Sequence, residues 1–303
     1  MKISKSVITL SILTGLLALI QAGAGLFWTG GGSGPFPFTT LHGQTVQMNG
    51  RGIYALDTYF RAPIARGTDA VTLLVAIPLL LTAVWLYRRG SLRGGLLLVG
   101  ALSYLLYNAA SVALGTAYNN LFIVYIAYFS ASLFAFILAF NAIDTRKLGA
   151  RIGQGSPIRG IAILMFVSGL ALLAAWLGDI IGPLLNGGVP AIASYTTEIT
   201  YVFDLGIIAP TCFLTGILLL RRASMGYLLG TMMTITLAVV GLMVATQTLF
   251  QLQAGISLTL AEFIGKSGSF MALAIVAVVL LFRFFARLRR GGGSEKLYKD
   301  AKA

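Results

Sequence analysis

Six of the nine acidic side chains, Asp57, Asp69, Asp179, Glu198, Asp204 and Glu262, fall outside or in the outer third of long apolar runs. Carboxylates gathered at one depth can concentrate cations, bind a polar solute, or share general acid and base work. Asp204 is the most exacting of them. It lies about one turn inside its run, beside Gly206 and ahead of Pro210, where an unpaired charge is costly and the backbone is prepared to kink. Glu262 and Lys266 stand four residues apart in the order that favours an ion pair on one helix. Asp69 follows Thr68 at the start of a run and reads equally well as a helix cap. Uncharged polar residues reach the same depth: Tyr107, Asn108, Asn119, Asn120, Tyr125, Tyr128, Gln247 and Gln251. Tyr104, Asn108 and Ser111 repeat on one helical face. The expected site comprises Asp204, Glu198, Asp179, Glu262, Lys266, Asp69, Asn108 and Tyr125, forming an outward-open polar pocket with an apolar floor. Arg61 and Arg66 can fold over its mouth.

Other chemistry is missing from the sequence. One histidine, His42, cannot build a His-rich metal cage or a bis-His haem site. The single cysteine, Cys212, sits in an apolar run and reads as a packing residue. There is no phosphate-binding loop, no Gly-x-Ser-x-Gly elbow and no His-Glu-x-x-His helix. A retinal protein needs a lysine deep in its last helix, whereas Lys266 lies near an outer end. No cofactor and no metal is therefore expected.

The elements that must position these residues are transmembrane helices. The chain is 57% hydrophobic and only 10% charged, against about 25% charged in soluble domains. Runs long enough to cross a bilayer, roughly 20 residues, fall near 6–27, 69–87, 95–116, 121–142, 160–182, 199–220, 226–249 and 264–284. The fold class expected is an all-α polytopic bundle of eight helices. The first helix occupies 1–28, an outer loop 29–68, helices two to four 69–142, an inner loop 143–159, helices five to eight 160–284, and a basic tail 285–303. Two termini and three alternate loops hold 18 of the 22 Lys and Arg; only Arg51, Arg61, Arg66 and Lys266 lie on the other side. Positive charge stays inside during insertion, so both termini are expected in the cytoplasm and the protein in the cell membrane. The same segregation explains the net charge of +13 without a nucleic-acid partner. The partners expected are the lipid bilayer and a small polar or cationic ligand, and the sequence permits an oligomer.

Three features refine this picture. Asn49-Gly50 between apolar residues predicts a small β-hairpin in the outer loop. The first run, with Lys2 and Lys5 ahead of it and Ala22-Gly23-Ala24 behind, also reads as a signal peptide, although a retained helix is preferred. Arg88-Arg89-Gly90-Ser91 and Arg221-Arg222-Ala223-Ser224, 133 residues apart, each follow a run with an outer aspartate (Asp69, Asp204) and a proline (Pro78, Pro210). This pattern predicts a parallel duplication of four helices. The stretches Gly67-Thr68-Asp69, Arg88 to Gly94 and Tyr118-Asn119-Asn120-Leu121-Phe122 resemble multi-pass bacterial membrane proteins with no assigned activity. That resemblance implies topology alone. The function expected is binding, transport or sensing of a small polar or cationic solute; the alternative is a membrane-embedded enzyme acting on a lipid-linked or extracytoplasmic substrate.

Overall fold

The structure, a computed structural model, describes residues 3–189, 192–260 and 263–288, without the side chain of Lys266. Among the described residues, eight helices are long and apolar enough to span a bilayer: α1 Lys5–Phe27, α2 Arg61–Arg88, α3 Leu92–Gly115, α4 Phe122–Asn141, α5 Ile158–Asn186, α6 Ile199–Leu220, α7 Ser224–Gln253 and α8 Phe263–Arg287. The protein is a multi-pass, all-α membrane bundle with one small sheet. Its burial pattern is that of a chain in lipid. Helix α1 buries Ser11, Thr14, Gly15, Ala18, Gln21, Ala22 and Gly25 while Leu16, Leu19 and Ile20 stay exposed. Exposure of leucine to lipid tails costs nothing, so small and polar residues take the helix contacts instead. Several buried hydroxyls bond back to their own helix, as Ser11 does to the Val7 carbonyl at 2.7 Å and Thr234 to that of Gly230 at 2.6 Å.

Helices α1 to α4 pack in a ring, each on its neighbour and α4 back on α1; α5 to α8 do the same. The two groups meet through α3 and α7, the most buried spans, and through α7 against α2. Glycine sets the closest of these approaches. A Cβ on Gly67 would lie 2.6 Å from Gln247 Cα and 2.7 Å from its nitrogen. Gly115 of α3 leaves room for the Ile199 side chain of α6.

Helices α2 and α6 share a second device. Each is interrupted by a π-turn, Thr72–Ala76 and Asp204–Ile208, and resumes with Pro78 and Pro210 in its first turn. Proline brings no N–H and clashes with the preceding turn, and the wider π-turn absorbs both defects. Both helices then end on a left-handed residue, Gly90 at φ 74° and Arg222 at φ 53°. The next amides, of Ser91 and Ala223, donate to the carbonyls of Leu86 and Leu218 at 3.1 and 2.9 Å. Gly94 and Gly226 leave room for these reversals. A left-handed residue with a Cβ costs about 1–2 kcal/mol, and a glycine's extra unfolded-state entropy offsets part of that. Arg222→Gly is therefore expected to stabilise the protein by about 0.5–1 kcal/mol, read as a higher thermal midpoint in detergent. A lower midpoint would show that the arginine side chain holds the loop.

The ends of the described chain share a face with the basic loops. The Ser4 amide donates to the Tyr87 hydroxyl at 3.1 Å, and Arg93 donates to the Leu288 carbonyl at 3.0 Å. Ile152 bridges Leu288, and the short helix Thr145–Ala150 lies along α7. The opposite face gathers the loop of residues 28–60, residues 116–121 and residues 187–189 and 192–198.

Two expectations about local structure are corrected. Helix α2 starts at Arg61, not near 69, because its first two turns stand clear of the apolar run and carry Arg61 and Arg66. Asp69 is therefore buried in the third turn and caps nothing. A hairpin does form, pairing β1 Phe36–Thr39 with β2 Thr45–Met48, but its turn is residues 40–44. Gly43 supplies the positive φ there and Thr40 Oγ1 accepts from the His42 and Gln44 amides. Asn49-Gly50 closes the hairpin from outside: the Asn49 side chain donates to the Arg51 and Tyr54 carbonyls at 2.8 and 3.2 Å.

Candidate functional site

The polar residues of the half opposite the basic loops fall into four groups, each built by different helices. The first joins α1, α2 and the outer loop. Gln21 donates to Asp69 Oδ1 at 2.8 Å and the Tyr54 hydroxyl donates to Asp69 Oδ2 at 2.7 Å. All three are buried. Gly25 makes this possible, since a Cβ there would collide with the Asp69 carboxylate and the Tyr54 hydroxyl. Burial, reinforced by the Asp69 charge, holds the Tyr54 hydroxyl well above its ordinary pKa, so it remains a donor.

The second group lies deeper. Asn108 of α3 donates to Thr72 Oγ1 at 3.4 Å and to the Tyr128 hydroxyl of α4 at 3.3 Å. Thr72 opens the π-turn of α2. The hydroxyls of Tyr104 and Tyr125 are buried there with no hydrogen-bond partner among the described residues.

The third group surrounds Asp204, at the start of the α6 π-turn. The Trp176 indole of α5 donates to Oδ2 at 2.8 Å and the Tyr107 hydroxyl of α3 donates to Oδ1 at 3.1 Å. Trp176 also packs against Tyr201, ring centroids 5.3 Å apart and planes tilted by 41°, and the Tyr201 hydroxyl donates to Asp179 at 3.3 Å. Asp204 thus joins α3, α5 and α6 at one point.

The fourth group ties the outer loops together. Glu198 caps α6 by accepting the Thr200 amide at 3.2 Å and pairs with Arg61 at 2.9 Å. Arg61 lies over the Tyr195 ring, 4.4 Å from its centroid, and the Tyr195 hydroxyl donates to Asp57 at 2.6 Å. The Ala117 amide reaches the same Asp57 oxygen. Burial raises the Asp57 pKa, opposed by the Tyr195 and Ala117 donors and by Arg61. A carboxyl that holds its proton more tightly when folded contributes stability fully present below its unfolded pKa and lost as pH rises through its folded one. Asp57→Asn keeps an oxygen for both donors and removes the buried charge. The variant is expected to melt above the parent at pH 8, with the gap closing as pH falls toward 4. A gap that widens on acidification would show that the charged form is the stabilised one.

These groups place each residue expected in the site. Asp204 and Asp179 come together through Trp176 and Tyr201, and Glu198 is held at the outer loops. Asp69 belongs to the α1–α2 contact, and Asn108 and Tyr125 to the interior of the first four-helix ring. Glu262 lies outside the described residues. Lys266 falls in the turn Phe263–Gly268, and its pairing with Glu262 lies outside them too.

A cavity of about 490 Å³ opens between the end of α1, the outer loop and α2. Its lining includes Trp28, Arg51, Tyr54, Tyr59 and Arg66, and none of the eight expected site residues. Tyr54 links it to Asp69. Arg66 is held by a long bond to the Leu26 carbonyl at 3.4 Å and by the Phe250 ring, 5.7 Å from its centroid. Tyr59 anchors the far wall through a 2.6 Å bond to the Ala254 carbonyl. Gln21 and Tyr54 escaped the sequence reading. Gln21 was the readable one, because it is the sole amide side chain in the first apolar run and a buried amide needs a partner. Tyr54 had no local signal, since its role depends on the loop folding back over α2. Among the described residues no cluster of His, Cys, Asp and Glu is fit to hold a metal ion. Comparisons with protein-family models, with curated proteins and with solved structures found no match.

Proposed function

We propose that this chain is a non-enzymatic protein of the cell membrane that takes a small polar solute from the extracytoplasmic side into the cavity above Asp69. The observation that carries this reading is the cavity itself. It is concave, walled by aromatic side chains and supplied with a few fixed polar groups, the usual composition of a small-molecule site. Both termini lie in the cytoplasm on this reading, because the two ends and the alternate loops of the sequence hold 18 of the 22 Lys and Arg. The inner half offers mainly hydroxyls, most of them bonded to their own helices, with Ser168 and Thr215 buried without a partner among the described residues; this suits binding or sensing and gives transport few midplane ligands. Catalysis by paired carboxylates has less support, since Asp69 and Asp204 are held by different donors in different helix groups.

The scaffold is proposed to be a duplication of four helices in parallel. In its support, the π-turns, the prolines, the left-handed ends and the close-packed glycines all match at one spacing, 132 residues. At that spacing the crossing of Gly67 with Gln247 answers the crossing of Ile199 with Gly115. The register differs by one residue from the Arg-Arg-x-Ser match, and it pairs Asp204 with Thr72, not with Asp69.

Cysteine labelling tests the outward cavity. Cys212 is buried, so Thr29→Cys, on the cavity wall, supplies one accessible thiol. In intact cells an impermeant maleimide is expected to label it, and not a cysteine placed at Arg89. Labelling at position 89 alone would overturn the orientation and the function together.

A further inference from the structure

The charge of the cavity wall identifies the ligand, provided that the cavity is the binding site proposed above. Arg51 and Arg66 both line it, and no carboxylate does. Among the described residues neither arginine takes part in an ion pair; the pairs present are Arg61 with Glu198 and Lys147 with Asp144. Arg66 Nε is buried with no acceptor. A buried guanidinium N–H without a partner is costly, and guanidinium groups match the paired oxygens of carboxylate and phosphate. Asp69 is near enough to feel the Arg66 charge but makes no hydrogen bond or ion pair with it among the described residues; its oxygens accept from Gln21 and Tyr54.

From this arrangement we infer that the outer cavity binds an anionic group, a carboxylate or a phosphate, between Arg51 and Arg66. This reverses the sign of ligand that the acidic composition of the outer half had implied. Trp28 and Tyr59 provide aromatic walls for the part of the ligand that carries the anion. The anion can arrive free in solution or on a lipid headgroup, since the cavity begins where α1 leaves the bilayer.

The test uses the full chain carrying Thr29→Cys and follows the rate of maleimide labelling. In nanodiscs of phosphatidylcholine, inorganic phosphate and benzoate are expected to slow labelling, whereas choline and glycerol are not. Arg51→Gln and Arg66→Lys are each expected to raise the half-protecting concentration about tenfold or more. Arg51 is exposed, so its variant is not limited by folding; Arg66→Lys keeps the charge and removes Nε. Nanodiscs of equal parts phosphatidylcholine and phosphatidylglycerol distinguish the sources. Slow labelling there without added anion assigns the site to a lipid headgroup, and unchanged labelling assigns it to a soluble anion. Protection by choline alone would overturn the anionic class and leave the outward cavity standing. Failure of every probe to protect an accessible cysteine would overturn the inference, and an unreactive cysteine would overturn the cavity reading first.

Discussion

Gly67→Ala is expected to cost about 3 kcal/mol or more, at the upper end of the penalty for overpacking a close contact. The added methyl would lie 2.6 Å from Gln247 Cα, 2.7 Å from its nitrogen and 3.0 Å from the Thr246 carbonyl carbon. These are backbone atoms about two turns inside the end of a long helix, so no side-chain rotation relieves the clash and α2 must move away from α7. The Gln247 amide donates to Thr68 Oγ1 at 2.8 Å beside this point, and separation of the helices breaks that bond for about another 1 kcal/mol. The measurement is the thermal midpoint of the purified protein in a mild detergent, with Gly178→Ala as the control. A Cβ on Gly178 meets nothing within 4 Å, and alanine is the better helix former by about 1 kcal/mol. The expected order is therefore Gly178→Ala at or above the parent and Gly67→Ala far below it. Equal midpoints for the two variants would mean that α2 and α7 do not cross where the structure has them.

The contrast between these glycines marks what the sequence discloses. Hydropathy locates eight spans because each run must satisfy its backbone inside lipid by itself, a local requirement that leaves a local trace. Where the two differ most, at the start of α2, the cause is physical: Arg61 and Arg66 interrupt the apolar run but not the helix. Gly67 and Gly178 are indistinguishable in the sequence, since what separates them is the backbone of a helix some 180 residues away. The polar groups follow the same rule. Asp204 and Asn108 were readable as residues needing partners, because an unpaired polar group at that depth is costly. The partners themselves, Trp176 and Tyr107 for Asp204, were not, and Tyr107 was visible only as one more polar residue at the right depth. The proposed duplication divides in the same way. The motif match implies a spacing of 133 residues, whereas the left-handed residue and the close-packed glycine after it, which the chain needs to reverse direction, recur at 132.

Replacing Asp204 with alanine is expected to cost about 3 kcal/mol, because it removes the acceptor of two half-buried donors, and a hydrogen bond to a charged group is worth about 1.5–3 kcal/mol. The Trp176 indole N–H and the Tyr107 hydroxyl come from different helices, at 2.8 and 3.1 Å, so the loss falls on the junction of α3, α5 and α6. Asp204→Asn is the more discriminating change. Its single oxygen satisfies one donor, and its NH2 then faces the other donor, so size is kept while one of the two bonds turns repulsive. About half of the alanine penalty is expected. Trp176→Phe removes the other side of the stronger bond and leaves a carboxylate oxygen without its donor, again a loss of about 1–3 kcal/mol. In the double variant, Asp204→Asn with Trp176→Phe, the two penalties overlap, and a coupling of about 1 kcal/mol or more is expected from thermal or denaturant unfolding in one detergent. Position 204 would then serve the bundle as a three-helix clasp, and these variants, once folded, would retain the anion response of the outer cavity. Zero coupling would show that the indole and the carboxylate are independent. Loss of anion protection at Thr29→Cys in a fully stable Asp204→Asn protein would show that this carboxylate acts on the ligand and not on the fold.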